Sequence, residues 1–342
     1  MKQNRTPLFR TLLAASAIAA LSTSAQCMAA GNGQLAQREE VRKFIDDMVT
    51  KHDFSRQDLV TLMNKVKTVD SIIDAISRPA ESKPWYQYRP IFITPKRIKQ
   101  GVAFLKENRE TLQRAEQVYG VPPEVVTAIL GVETFYGRQT GGYRVIDSLA
   151  TLAFDYPPRR TFFRGELEQY LLLTREEQID PLELTGSYAG AMGQPQFIAS
   201  SYRRYAVDFD GDHHRDLWRN TVDAIGSVAY YLQIHGWQRD GAIAAQVTVP
   251  ADVAAPLLEL GIKPRNSVAE IRKLGVEVPA GIPADTKAAL IAFETKDTPE
   301  YWLGFDNFYV ITRYNHSPLY AMAVYQLSTA IRDKGQDGGA SN

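Results

Sequence analysis

The sequence predicts a mainly α protein with a small α+β subdomain. Apolar residues recur at helical spacing through residues 40–77 and again from Pro122 to about Gly236. Between residues 241 and 300 the composition shifts to Ala, Val and Pro with short apolar runs, Ala244–Val249 and Ala288–Phe293, the pattern of short strands and turns. The only cysteine is Cys27. No intrachain disulfide can therefore staple the fold, which must rest on a hydrophobic core that 342 residues, 44% of them hydrophobic, can supply.

In chain order, residues 1–30 read as an export leader. Lys2, Arg5 and Arg10 precede the apolar run Leu12–Leu21, and small residues ending at Ala29-Ala30-Gly31 follow. The run is too short to span a bilayer. Cleavage after Ala29 or Ala30 removes Cys27, and Ser24 and Gln26 occupy the places where a lipoprotein signal needs leucine and a small residue, so a soluble exported form is expected. Membrane contact would require lipidation of Cys27.

Residues 31–120 form an N-terminal helical region. Val41, Phe44, Ile45 and Met48 mark one helix and Leu59, Leu62, Met63 and Val66 a second, with Ser55 as the N-cap between them. Pro79, Pro84, Pro90 and Pro95 among Trp85, Tyr86, Tyr88 and Phe92 read as an irregular aromatic loop, after which helix resumes from Lys96 to Tyr119. Residues 121–240 read as a mostly helical core and 241–300 as the small α+β subdomain. Residues 301–332 return to the core and end in a helix from Pro318 to Ile331, and 333–342 read as a disordered polar tail.

Charge narrows the function. Lys plus Arg equals Asp plus Glu at 39 each; removing the leader leaves 36 basic against 39 acidic residues, a formal charge of −3. A surface built for phosphates carries a basic surplus, so nucleic acid is not an expected partner.

One acid stands out. Pro122-Pro123-Glu124 opens a helix, with proline in the first turn and an acid near the positive end of the dipole. Val126, Ile129, Leu130 and Glu133 then fall at i, i+3, i+4 and i+7, which puts the Glu133 carboxyl on the inward face. Desolvation there raises its pKa, and a carboxyl still protonated near neutrality can protonate a glycosidic oxygen. Periodicity alone leaves a second reading open, a core acid satisfied by a buried partner.

The neighbourhood is more specific. Gly131-Val132-Glu133-Thr134-Phe135-Tyr136-Gly137 resembles the catalytic helix end of the lysozyme-like lytic transglycosylases. Much of the chain after about residue 85 resembles the lytic murein transglycosylase B family. The stretches that carry this likeness are Ser148–Phe154 with Tyr156-Pro157, Gly186–Phe197, Asp223–Val228 and Thr312–Ser317. The resemblance implies a lysozyme-like helical core with Glu133 as the single catalytic acid. It implies that Ser187, Gln196 and Phe197 line the cleft around the cleaved bond and that Tyr314 and Asn315 stand on the opposite wall. Tyr88, Tyr231 and Tyr320 fall where the family places aromatic or hydrogen-bonding cleft residues. Each tyrosine could instead be a core residue with its hydroxyl satisfied, and Met192 and Phe197 could likewise be packing residues.

The implied reaction uses one carboxylate where ordinary glycosidases use two. Glu133 would protonate the β-1,4 oxygen between N-acetylmuramic acid and N-acetylglucosamine, then accept the proton of the muramoyl 6-hydroxyl as a 1,6-anhydro ring closes. The nearest later acids, Asp147, Asp155, Glu166 and Glu168, read as capping or surface groups. The implied partner is the peptidoglycan glycan strand, with cell-wall synthesis proteins as further candidates, and the implied location is the periplasm of a Gram-negative bacterium. A hydrolytic muramidase or chitinase on the same scaffold and a non-catalytic peptidoglycan-binding protein are the alternatives.

Finally, Asp208-Phe209-Asp210-Gly211-Asp212-His213-His214-Arg215-Asp216 carries carboxylates at positions 1, 3, 5 and 9, a spacing that lets side chains converge on calcium as in an EF-hand. Glycine stands at position 4 instead of 6, and Arg219 at position 12 instead of glutamate. The family's longer loop variant, closed by a later aspartate, points to Asp223. The candidate ligand set is Asp208, Asp210, Asp212, His214 and Asp223, with a structural role for the ion. A metal-free Asp-rich turn, a solvated charge cluster and a transition-metal site at His213 and His214 are the competing readings.

Overall fold

A computed structural model describes residues 35–77 and 83–337. The leader and Cys27 lie outside the described residues.

Three helices begin the chain: α1 (Glu39–His52), α2 (Arg56–Met63) and α3 (Asp70–Ile76). The Ser55 side chain accepts the Asp58 amide, so the expected N-cap forms. The third helix exceeds the two expected; its brevity and Val69 N-cap, which offers no side-chain acceptor, leave little sequence signal.

The expected aromatic loop is instead α4 (Trp85–Phe92). Pro84 sits at its N-cap, where a proline costs nothing, and only Pro90 is interior. Stacking of Trp85 on Tyr88 and contacts of Tyr88 with Phe92 and of Trp85 with Phe293 hold the turn together. Next come α5 (Pro95–Glu107), capped by the Thr94 side chain, and α6 (Arg109–Tyr119).

The core is built on α7 (Pro123–Thr134), which buries every residue from Val125 to Val132 and packs against α5 and α6. A two-stranded ribbon pairs β1 (Tyr143–Arg144) with β2 (Thr185–Gly186). Between those strands run α8 (Val145–Asp155) and α9 (Arg160–Glu176), which pack on one another. After the ribbon come α10 (Ala199–Tyr205) and α11 (Thr221–Ile234), the latter capped by Asn220.

Residues 244–304 make an antiparallel sheet of β3 (Ala244–Val247), β4 (Asn266–Ser267), β5 (Lys287–Phe293) and β6 (Glu300–Gly304), in the order β3-β6-β5-β4. With α12 (Ala251–Glu259) and α13 (Val268–Lys273) it encloses its own apolar cluster around Leu257, Val268, Ile271, Leu290 and Leu303. Strand alternation explains how one run serves two cores: Ala288 and Leu290 face this cluster, while Ile291 and Phe293 face the main one.

The chain returns through α14 (Asp306–Tyr314) to α15 (Pro318–Asp337), which lies against α4, α5, α7 and α14. Helix α15 runs to Asp337, past the helix end expected at Ile331 and into residues 333–342, which the sequence reads as a disordered tail; residues 338–342 lie outside the described residues. Once the packed turns are formed, extending a helix costs little per residue, and polar character alone does not stop it. Among the described residues no helix is long and apolar enough to cross a membrane.

Candidate active site

Glu133 is the penultimate residue of α7, and the chain beyond it turns sharply. Phe135, Tyr136 and Gly137 all take left-handed backbone, at φ 53°, 62° and 79°. Two non-glycine residues in that region cost on the order of 1–3 kcal/mol each, so their surroundings must impose it. The Thr134 hydroxyl donates to the Gln194 carbonyl at 2.9 Å and accepts the Gly137 amide at 3.0 Å. The Tyr136 ring fills a notch left by two glycines: a Cβ at Gly131 would stand 2.7 Å from that ring, and one at Gly101 2.5 Å from its hydroxyl. That hydroxyl donates to the Arg97 carbonyl at 2.8 Å.

The Glu133 carboxyl is half-buried, and desolvation raises its pKa from 4.5 to about 7. The Tyr320 hydroxyl donates to Glu133 Oε1 at 2.6 Å and opposes that rise by stabilising the anion. Tyr320 comes from α15 and is itself buried. Its ring lies parallel to that of Tyr314, 6.3 Å away, and its phenol titrates well above its usual range, through burial first and the nearby carboxylate second. Tyr88, stacked between Trp85 and Phe92, lies within electrostatic reach of Tyr320.

Beside this pair opens a cavity of about 610 Å³ whose lining includes Gln196, Phe197, Tyr231, Tyr314 and Asn315. The sequence reading assigned all five to the substrate, but they do not contribute alike. The Tyr231 and Tyr314 hydroxyls donate to the carbonyls of Arg313 and Pro195, each at 2.6 Å, so these phenols are committed to the protein and offer ring faces. Phe197 is buried between those two rings, at 5.6 and 5.9 Å. For Tyr231 and Phe197 the packing reading therefore holds together with a place in the wall. Gln196, at φ 54°, donates its amide hydrogens to Thr140 and Gly193 carbonyls, which leaves Oε1 as its available group. The Asn315 side chain makes no hydrogen bond among the described residues. Ser187 lies in the adjoining loop, where its oxygen accepts the Ala189 and Ala191 amides and its own O–H remains free to donate.

Sequence reasoning missed the rim of this cavity, with the guanidinium groups of Arg159 and Arg313 and the His316 ring, and the exposed Phe162 beneath the Arg159 guanidinium at 4.3 Å. The Pro157-Pro158-Arg159-Arg160 run was the available signal.

The four acids weighed as second carboxylates are all committed elsewhere. Asp147 pairs with Arg144 and accepts the Lys67 amide, Asp155 pairs with Arg38, and Glu168 meets His52. Glu166 is buried and accepts both the amide and the hydroxyl of Ser200.

The acidic loop gathers Asp208, Asp210 and Asp212, whose carboxylate oxygens come within 4.8 Å of one another. Three carboxylate donors on one tight turn suit a hard cation such as calcium. His214 and Asp223, the other two residues of the expected ligand set, stand outside this group. Asp223 is buried and spends its two oxygens on the Phe209 and Asp216 amides, at 2.8 and 2.9 Å, so it closes the loop from within. The His214 ring is exposed and lines a different cavity.

Residues 36–329 match the family described as Transglycosylase SLT domain. Membrane-bound lytic murein transglycosylase B of Escherichia coli K12 is 45% identical over 309 residues, 87% of this chain and 84% of that protein. The crystal structure of soluble lytic transglycosylase SltB1 from Pseudomonas aeruginosa is 50% identical with a TM-score of 0.82, covering 86% of this chain and 99% of that one. Escherichia coli Slt35, solved in complex with calcium, is 44% identical with a TM-score of 0.82, over 89% and 96% of the two chains. With the lysozyme-like helical core, these likenesses show that the chain belongs to the lytic transglycosylase family that carries the SLT domain.

Proposed function

We propose that this lytic transglycosylase cleaves the β-1,4 bond between N-acetylmuramic acid and N-acetylglucosamine in peptidoglycan without water, with Glu133 as its only acid–base group. The carrying observation is the half-buried Glu133 carboxyl, held near a pKa of about 7 and bonded to Tyr320, while the four acids weighed from the sequence as its partner, Asp147, Asp155, Glu166 and Glu168, are each tied to a structural partner. A carboxyl at that value is partly protonated at neutral pH, and so can give a proton to the leaving oxygen and then take one from the muramoyl 6-hydroxyl. Charge developing at the anomeric carbon is relieved by the substrate's own N-acetyl group. The Tyr231 and Tyr314 faces suit the apolar side of a sugar, and Ser187, Gln196 and Asn315 offer one donor, one acceptor and an amide to its hydroxyls. Closure of the 1,6-anhydro ring regenerates the acid.

Calcium in the Asp208–Asp212 turn would neutralise the carboxylates and stiffen the approach to α11. The leader-like residues 1–30 support export, which in a Gram-negative cell would place the enzyme in the periplasm.

The test is mass spectrometry of the products released from purified peptidoglycan by the mature protein and by Glu133→Gln. Anhydromuramoyl ends from the wild type and none from the variant support the proposal. Reducing ends would make the protein a hydrolase, and no release by either would make it a binding protein.

A further inference from the structure

Gln194 is buried and does not line the cleft cavity, yet it joins several distant parts of the molecule. It stands at the tip of a tight loop closed by Met192 and Phe197, which exchange both backbone hydrogen bonds, at 2.8 and 3.1 Å. On that loop Gln196 and Phe197 line the cleft, while Gln194 turns inward. Its side-chain Nε2 donates to the Thr221 hydroxyl at 3.1 Å, in the first turn of α11, and its backbone amide donates to the Leu217 carbonyl at 2.8 Å. Its carbonyl accepts the Thr134 hydroxyl at 2.9 Å, a shorter contact than the 3.3 Å from that hydroxyl to the Leu130 carbonyl, one turn back on α7. The side chain also covers Gly137, where a Cβ would stand 3.0 Å from the Gln194 Cδ.

Two consecutive carbonyls of this loop therefore reach different walls. That of Gln194 takes the hydroxyl of the residue after Glu133, and that of Pro195 takes the Tyr314 hydroxyl at 2.6 Å. Packing alone does not call for a glutamine here. An apolar side chain of the same length would cover Gly137 without the cost of burying an amide. What the amide adds is direction: its bond to Thr221 fixes the rotation of the loop tip, and with it the aim of the Gln194 carbonyl. Thr134 repeats the logic. It is fully buried, and an isosteric valine would pack as well while depriving the Gly137 amide and the Gln194 carbonyl of their common partner.

We propose that Gln194 is a positioning residue, which through the Thr134 hydroxyl holds the Glu133 carboxyl in register with Gln196 and Tyr314 in the cleft. The proposal rests on the reading of Glu133 as the acid–base group. Gln194 itself touches no reacting atom. The leaving oxygen must meet Glu133 while its sugar lies against the facing wall, and an error of about 1 Å in that register can cost on the order of 100-fold in rate.

The test compares Thr134→Val, Thr134→Ser, Gln194→Met and the double variant Thr134→Val with Gln194→Met in the mature protein. Release of anhydromuramoyl products gives kcat and KM. The Glu133 carboxyl is titrated without substrate by NMR of protein labelled at its glutamate carboxyls, its signal identified by its absence from Glu133→Gln. Thr134→Val and Gln194→Met should each lower kcat roughly tenfold or more at nearly unchanged KM. In both, the carboxyl leaves its desolvated seat and should titrate below the wild-type value of about 7, toward 4.5. Thr134→Ser keeps the hydroxyl and should keep most of the wild-type kcat. The double variant should fall little below the slower single one, as expected of residues that act through one strap. Gln194→Met leaves every backbone partner in place, so it decides the proposal if melting curves show that Thr134→Val does not fold. Wild-type kcat and titration in Thr134→Val or Gln194→Met, or a loss in Thr134→Val that Thr134→Ser does not restore, overturns the proposal. No product from the wild type would instead overturn the reading of Glu133 as catalyst, and the carboxyl titration would still decide the positioning.

Discussion

At the scale of one residue, the proposed chemistry turns on the single hydrogen bond from Tyr320 to Glu133. Burial pushes the acid up and the phenol pulls it back, so Tyr320→Phe should move the alkaline limb of the pH–rate profile above its wild-type position near pH 7. It should also lower kcat by roughly 10- to 100-fold, the worth of a charged hydrogen bond, as a pH series would measure. The raised acid also costs stability. Between pH 4.5 and about 7 the folded protein keeps a proton that the unfolded chain has released, so this group's contribution falls as pH rises through that window and is constant above it. Glu133→Gln should therefore be more stable than wild type at pH 8 by roughly 1–3 kcal/mol and gain little at pH 4.5, which thermal melts at the two pH values would check. Glu133 was legible because an acid at i+7 of an apolar stripe breaks the pattern. Tyr320 had no such mark, and only the family resemblance pointed to it. Nor could spacing tell that the Tyr231 and Tyr314 hydroxyls are bonded to carbonyls, since that depends on backbone brought in by α14 and a distant loop.

At the scale of an element, the informative feature is how α7 ends. Its start is written in Pro122-Pro123-Glu124, whereas its C-cap is Phe135, a residue with no intrinsic liking for left-handed backbone. The notch that forces this turn comes from Gly101 and Gly131, thirty positions apart and on different helices. Gly131→Ala raises helix propensity by about 1 kcal/mol yet drives a methyl group into the Tyr136 ring. The clash should dominate, with a net loss of about 1–3 kcal/mol in chemical denaturation and a fall in kcat larger than any change in KM. Local signals misread α4 for a similar reason. Four prolines look like a loop until Pro84 is found at a cap and aromatic stacking is found to hold the rest.

Across the whole molecule, the broad α plan and the shift at residue 241 could be read from periodicity and composition, because both reflect how much surface each segment buries. The convergence of α5, α7 and α15 could not, because nothing local records which distant helix fills a groove. The acidic loop is another long-range device: Asp223 at the head of α11 receives amides from Phe209 and Asp216 and so ties the turn to the core. Calcium at about 100 times its dissociation constant should raise stability by roughly 2.7 kcal/mol. Chelator should reverse that shift in a melting curve, and Asp210→Asn should blunt it. The Glu133–Tyr320 pair spans 187 positions of sequence. A chain emerging from a ribosome or a translocon therefore delivers its acid long before the phenol that tunes it. On the proposed role of Glu133, the nascent protein carries its acid without the setting until the last helix docks on α7, and activity should appear only as synthesis nears its end.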